Sequence, residues 1–83
     1  MNKIADLRIK HSEPGKGKYT IYDVNTGIEI GLIDRVVGVN NRPTGSWSYT
    51  RFSDNKINWR AGNTWSIAAI RLGKSCGYKD ELR

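Results

Sequence analysis

YTIYDV (19–24), NTG (25–27) and IEIGLIDRVV (28–37) form the stretch on which the fold turns. Its outer runs are rich in β-branched and aromatic residues, which fit a pleated, half-buried surface. The link holds Asn25 and Gly27, which tolerate the positive φ of a tight turn, so the stretch reads as a β-hairpin. Gly31, inside the second run, marks a bulge or a close packing neighbour.

Further along the chain, residues 38–45 (GVNNRPTG) form a second turn-rich connection. Residues 46–53 (SWSYTRFS) alternate, with Trp47, Tyr49 and Arg51 on one face and Ser48, Thr50 and Phe52 on the other. Asp54-Asn55 reads as a turn and residues 56–60 (KINWR) as a short edge strand. A helix is expected to start near Asn63-Thr64, both good N-caps, and to end before Gly77. Trp65, Ala68 or Ala69, Leu72 and Cys76 recur at helical spacing, predicting an apolar stripe laid on one side of the sheet with the other side left open. Gly73 costs that helix ~1 kcal/mol relative to Ala, so its last turn is expected to be either frayed or tightly packed.

Toward the N-terminus, residues 4–10 (IADLRIK) alternate like a half-buried strand from Asp6 onward, although one helical turn fits nearly as well. Residues 12–18 (SEPGKGK) have loop chemistry, and the tail 78–83 reads as solvated. The expected architecture is α+β: a small antiparallel sheet of three to five strands packed on one C-terminal helix. It is read as a single domain with 1–18 an arm or extra strand, 19–76 the core and 77–83 the tail.

Composition narrows the function classes. A chain of 83 residues buries only ~60% of its unfolded surface, so no large internal active-site cavity is expected. The net charge of +6 favours polyanions or an acidic protein face. That charge is uneven: residues 19–34 carry three acids and no base, whereas 35–60 carry five bases and one acid. With Cys76 as its one cysteine the chain forms no internal disulfide, and no apolar run is long enough for a signal peptide or membrane span. A cytoplasmic protein without membrane association is expected.

Catalytic ingredients are scarce. His11 is the single histidine and sits beside the Gly-Lys loop, and with Cys76 it makes two candidate zinc ligands where about four are usual. Cys76 lies on the apolar side of the expected helix, as a small buried hydrophobe would. Asp23, Glu29 and Asp34 read as a solvated acidic hairpin. No enzyme activity, cofactor or metal is expected.

Residues 35–60 instead combine Arg35, Arg42, Arg51, Lys56 and Arg60 with Trp47, Tyr49, Phe52 and Trp59. Arginine grips phosphates and guanine bidentately, and an exposed indole packs on sugar and base, so this mixture suits nucleic acid. Trp47 is expected in the core instead. The run Gly38-Val39-Asn40-Asn41-Arg42-Pro43-Thr44-Gly45-Ser46-Trp47 resembles the start of the Apetala-type, or ethylene-response-type, DNA-binding domain, which also occurs on phage homing endonucleases. Residues 37–76 follow that family's order of strands and helix. The resemblance implies a sheet in the major groove, with Arg42 and Trp59 as DNA contacts and Trp47 as the core aromatic. Asn40, Ser46 and Phe52 depart from it, standing where Arg, Lys and Arg are usual. No His-Asn-His nuclease motif accompanies it.

The leading expectation is a nucleic-acid-binding module, DNA favoured over RNA, that uses the open sheet face. Arg35, Arg42, Arg51, Lys56, Trp59 and Arg60 are its contacts, and Lys16 and Lys18 its phosphate tethers. The alternative is a small phage-type inhibitor or adaptor that docks on a host protein through its aromatics and acidic hairpin.

Overall fold

A computed structural model describes residues 3–13, 15 and 17–79. Five strands, β1 (Leu7–Glu13), β2 (Lys18–Asp23), β3 (Glu29–Val37), β4 (Pro43–Arg51) and β5 (Lys56–Gly62), precede one helix, α1 (Trp65–Ser75). The strands form one sheet in the order β1-β2-β3-β4-β5, each pair antiparallel. This is the α+β architecture expected, at the upper end of its strand count.

The hairpin at residues 19–37 forms as read, and Gly27 closes its turn with φ +72°. The N-terminal segment differs from expectation. Residues 4–6 make a 3-10 turn and β1 runs on through Ser12 and Glu13, because pairing with Lys18 and Tyr19 satisfies a backbone that the loop reading left to water. His11 is accordingly a strand residue, its ring 4.7 Å from that of Tyr19.

Cross-strand register sorts the side chains. Ile9, Ile21, Gly31, Arg51 and Lys56 form one row across the sheet, and His11, Tyr19, Ile33, Tyr49 and Asn58 a second on the same face. Helix α1 lies on this face, where Ile21, Ile33, Trp47, Ala61, Ala68 and Leu72 form the core. Each fully buried Leu or Ile there is worth ~1.5–3 kcal/mol. Gly31 admits the helix: a Cβ at that position would lie 2.8 Å from Leu72 Cδ2 and would also press on the Thr50 carbonyl. Both readings of Gly31 are met, since the β2–β3 register also shifts beside it, between Ile21 and Tyr22.

Thr64 caps α1 by accepting a 3.3 Å hydrogen bond from the Ile67 amide. The buried stripe is Ala68, Leu72 and Gly73, with Cys76 partly buried beside it. Trp65, the first residue of the helix, departs from the expected stripe and is 48% exposed. Gly73 is tightly packed rather than frayed, a Cβ there falling 2.6 Å from Leu7 Cδ1.

Two further expectations are corrected. Asp23 is fully buried rather than solvated, accepting from the Asn25 amide at 2.7 Å and from the Tyr78 hydroxyl at 2.8 Å. Tyr78 is therefore not solvated tail, and the Lys79 carbonyl accepts from the Ile4 amide at 2.8 Å, tying the two ends of the chain together. The rest of the expected tail, 80–83, lies outside the described residues. Among those described, no helix is long and apolar enough to cross a membrane.

Candidate nucleic-acid interface

The meander has two ends of different character. At one end are the finish of β3, the 38–42 connection, the start of β4, the finish of β5 and the start of α1. Arg35, Arg42, Arg60 and Arg71 lie there, and among the described residues none of the four forms an ion pair. The Arg35 guanidinium sits 5.4 Å from the centroid of the buried Trp47 ring. That cation–π contact orients an otherwise mobile side chain. Gly17 docks on the same place, its carbonyl accepting a 3.3 Å hydrogen bond from the Arg35 amide, which brings the Gly-Lys loop to this end. Lys18 belongs here too, but Glu13 lies 3.7 Å from its amine and Asp34 is its cross-strand partner. Lys16 lies outside the described residues.

Arg60 and Arg71 share a groove of about 430 Å³ with Ser46, Gly62, Asn63 and Ile67. Arg71 Nη1 donates to the Arg60 carbonyl at 3.5 Å, holding α1 against the edge strand. Two guanidiniums without carboxylate partners among the described residues, a hydroxyl and an amide are the kinds of donor from which an oxyanion would accept.

Arg51 and Lys56 stand apart from this cluster. Both sit near the opposite end of the sheet and on the helix side. Arg51 donates bidentately to Asp54, at 3.0 and 2.7 Å, and a third time to the Ser75 carbonyl at 2.8 Å. The hydrogen bond from Arg51 holds the Asp54 carboxyl down at about 2, with smaller help from the Lys56 amide, and the same bond raises the Arg51 pKa. Its donors are thus engaged in joining the β4–β5 turn to the end of the helix.

The open side of the sheet is not the basic face that was expected. Its central row is Lys10, Thr20, Leu32, Thr50 and Ile57. Lys10 is paired to Glu29 at 2.6 Å, and Arg8, on the same alternation, donates to the carbonyls of Ala5 and Leu7. Asp34 and the buried Ser48 also face this way. Trp59, next after Ile57 in the alternation of the edge strand, is 64% exposed. Arg42, Arg51 and Trp59 therefore do not share one face. The guanidiniums gather at an end of the sheet because strand ends and loops, unlike its helix-covered face, leave a charged group in water.

Reading the sequence overlooked Arg71, Ser46 and Asn63. Arg71 carried the one available signal, its place on the polar side of the helix within two turns of the N-cap. At the far end of the molecule, Ile28, Glu29, Ile30, Phe52, Ser53, Cys76 and Tyr78 line a second groove, of about 460 Å³ and largely apolar. No protein-family model, curated protein or solved structure matches this chain.

Proposed function

We propose that this protein is a non-catalytic module that binds nucleic acid through the basic end of its sheet. Arg35, Arg42, Arg60 and Arg71 supply the phosphate contacts, while Lys18, already beside Glu13, is left out of the count. The observation that carries this reading is the groove shared by Arg60 and Arg71 at the end of the sheet toward which β3 and the 38–42 connection also carry Arg35 and Arg42, none of the four ion-paired among the described residues. Ordinary solubility asks only for scattered charge, and the Arg51–Asp54 pair shows how such a charge is neutralised elsewhere in the same fold.

Fluorescence anisotropy of labelled DNA and RNA against salt concentration tests this. Four phosphate contacts give a log-log slope of about −4 on duplex DNA and about −3 on single strands. The double substitution Arg60→Ala and Arg71→Ala should flatten that slope by roughly half, while Lys56→Ala leaves it unchanged. A flat salt response in the intact protein refutes the reading.

A second reading, a phage-type inhibitor or adaptor docking on a host protein, draws on the apolar groove and on the exposed Ile28 and Phe52 that line it. It requires a stoichiometric partner that survives nuclease treatment and is lost on Ile28→Lys but retained in the double arginine variant.

A further inference from the structure

We infer that the nucleic acid taken by this site is a single strand, with a phosphate held in the Arg60–Arg71 groove and a neighbouring base laid against Trp59. The inference rests on the basic-end reading and adds to it the form of the ligand.

Trp59 and Arg60 are consecutive residues of the edge strand β5. Arg60 lines the groove between β5 and α1, and Trp59 precedes it in the chain. The β4–β5 register shifts between Trp47 and Tyr49, so the stretch of β5 between Asn58 and Gly62 bulges where these residues sit. Bulges re-aim side chains at the rim of a sheet. Arg60 is set locally as well, its amide donating to Asn58 Oδ1 at 3.0 Å.

Trp59 is the most exposed of the three tryptophans and makes no ring contact with another aromatic among the described residues. It also stands outside the core that Trp47 joins. An indole left bare offers a flat apolar face, and unstacked bases fill such a face whatever their sequence. A duplex keeps its base faces stacked inside and shows a protein only their edges.

The open side of the sheet argues the same way. A duplex lying across it would bring phosphates close to Asp34, and the cations on that side are engaged, Lys10 with Glu29 and Arg8 with the carbonyls of Ala5 and Leu7. A single strand passing over the β5 edge would meet Arg60, Arg71 and Trp59 and avoid Asp34.

Anisotropy titrations with labelled oligothymidylate, oligouridylate and a mixed-sequence duplex of equal length test this at low salt. The single strands should bind tighter than the duplex. Trp59→Ala should weaken them by about tenfold to a hundredfold, the range for losing one stacked base, and leave the weaker duplex binding unchanged. Trp59→Phe, which keeps a ring, should recover most of the loss, and unchanged circular dichroism checks that both variants fold. Either sugar bound with this Trp59 dependence supports the inference, and the tighter one identifies the preferred strand. Duplex binding equal to or tighter than single-strand binding, or a Trp59→Ala variant that binds both single strands normally, overturns it. In either case the basic-end reading stands if the Arg60 and Arg71 substitutions still weaken binding. If neither single strand nor duplex binds the intact protein, both readings fall.

Discussion

Gly31→Ala is the substitution that most directly tests how the helix is seated on the sheet. The new Cβ would lie 2.8 and 2.9 Å from the two methyls of Leu72 and would crowd the Thr50 carbonyl. Leu72 is fully buried, so its methyls cannot swing into solvent, and the carbonyl belongs to a paired strand. Overpacking of this kind costs ~1–3 kcal/mol, while the less flexible unfolded chain returns ~0.4–1 kcal/mol. Taking the middle of each range, about 2 less about 0.7, the net loss is about 1.3 kcal/mol, which for a domain of this size lowers Tm by roughly 5–10 °C. Thermal unfolding followed by circular dichroism reads that shift. Combining the change with Leu72→Ala, which alone costs ~2–5 kcal/mol, should give a loss smaller than the sum of the two, because the truncated side chain vacates part of the space the new methyl needs. The relief stays partial because the Thr50 carbonyl remains. An unchanged Tm in the single variant, or strict additivity in the double one, would refute the claim that close approach of helix and sheet is what requires glycine here.

Two further outcomes follow from the polar contacts. Tyr78→Phe removes the hydroxyl that donates to buried Asp23 and should cost ~1–3 kcal/mol, read as a fall in the urea midpoint without change in slope. It should also speed amide exchange at Ile4, whose amide bonds to Lys79, the residue after Tyr78. The Arg51–Asp54 pair predicts an acid dependence: the Asp54 carboxyl titrates at about 2 in the folded chain against an ordinary 3.8, so its contribution is present above pH 3.8 and is lost as pH falls towards 2. Carboxyl carbon titration by NMR should return Asp54 to near its ordinary value in Arg51→Ala, and a midpoint still at about 2 would show that Arg51 is not the cause.

Much of the fold was legible because its signals are local. A turn needs Asn and Gly within a few residues, a strand alternates in steps of two, and a helix start needs a cap such as Thr64. Each signal sits in one short window, and the 19–37 hairpin, the Trp47–Tyr49–Arg51 face and α1 were readable in this way. The burial of Asp23 was not, since the hydroxyl of Tyr78 that meets it is 55 residues away.

The candidate site belongs to the other category. Sequence alone determined that arginine and tryptophan concentrate between residues 35 and 60, and that one helix covers one side of a sheet. Which of those groups meet was decided by the direction of the strands. Arg35 lies near the end of β3 and Arg51 finishes β4, and because antiparallel neighbours run oppositely, those two residues emerge toward opposite ends of the sheet. The same rule brings the end of β5 to the same end of the sheet as the end of β3, and there Arg71, two turns into α1, reaches the Arg60 carbonyl. Charge composition is thus written along the chain, whereas a charged surface arises only once register and strand direction assign each residue to an end.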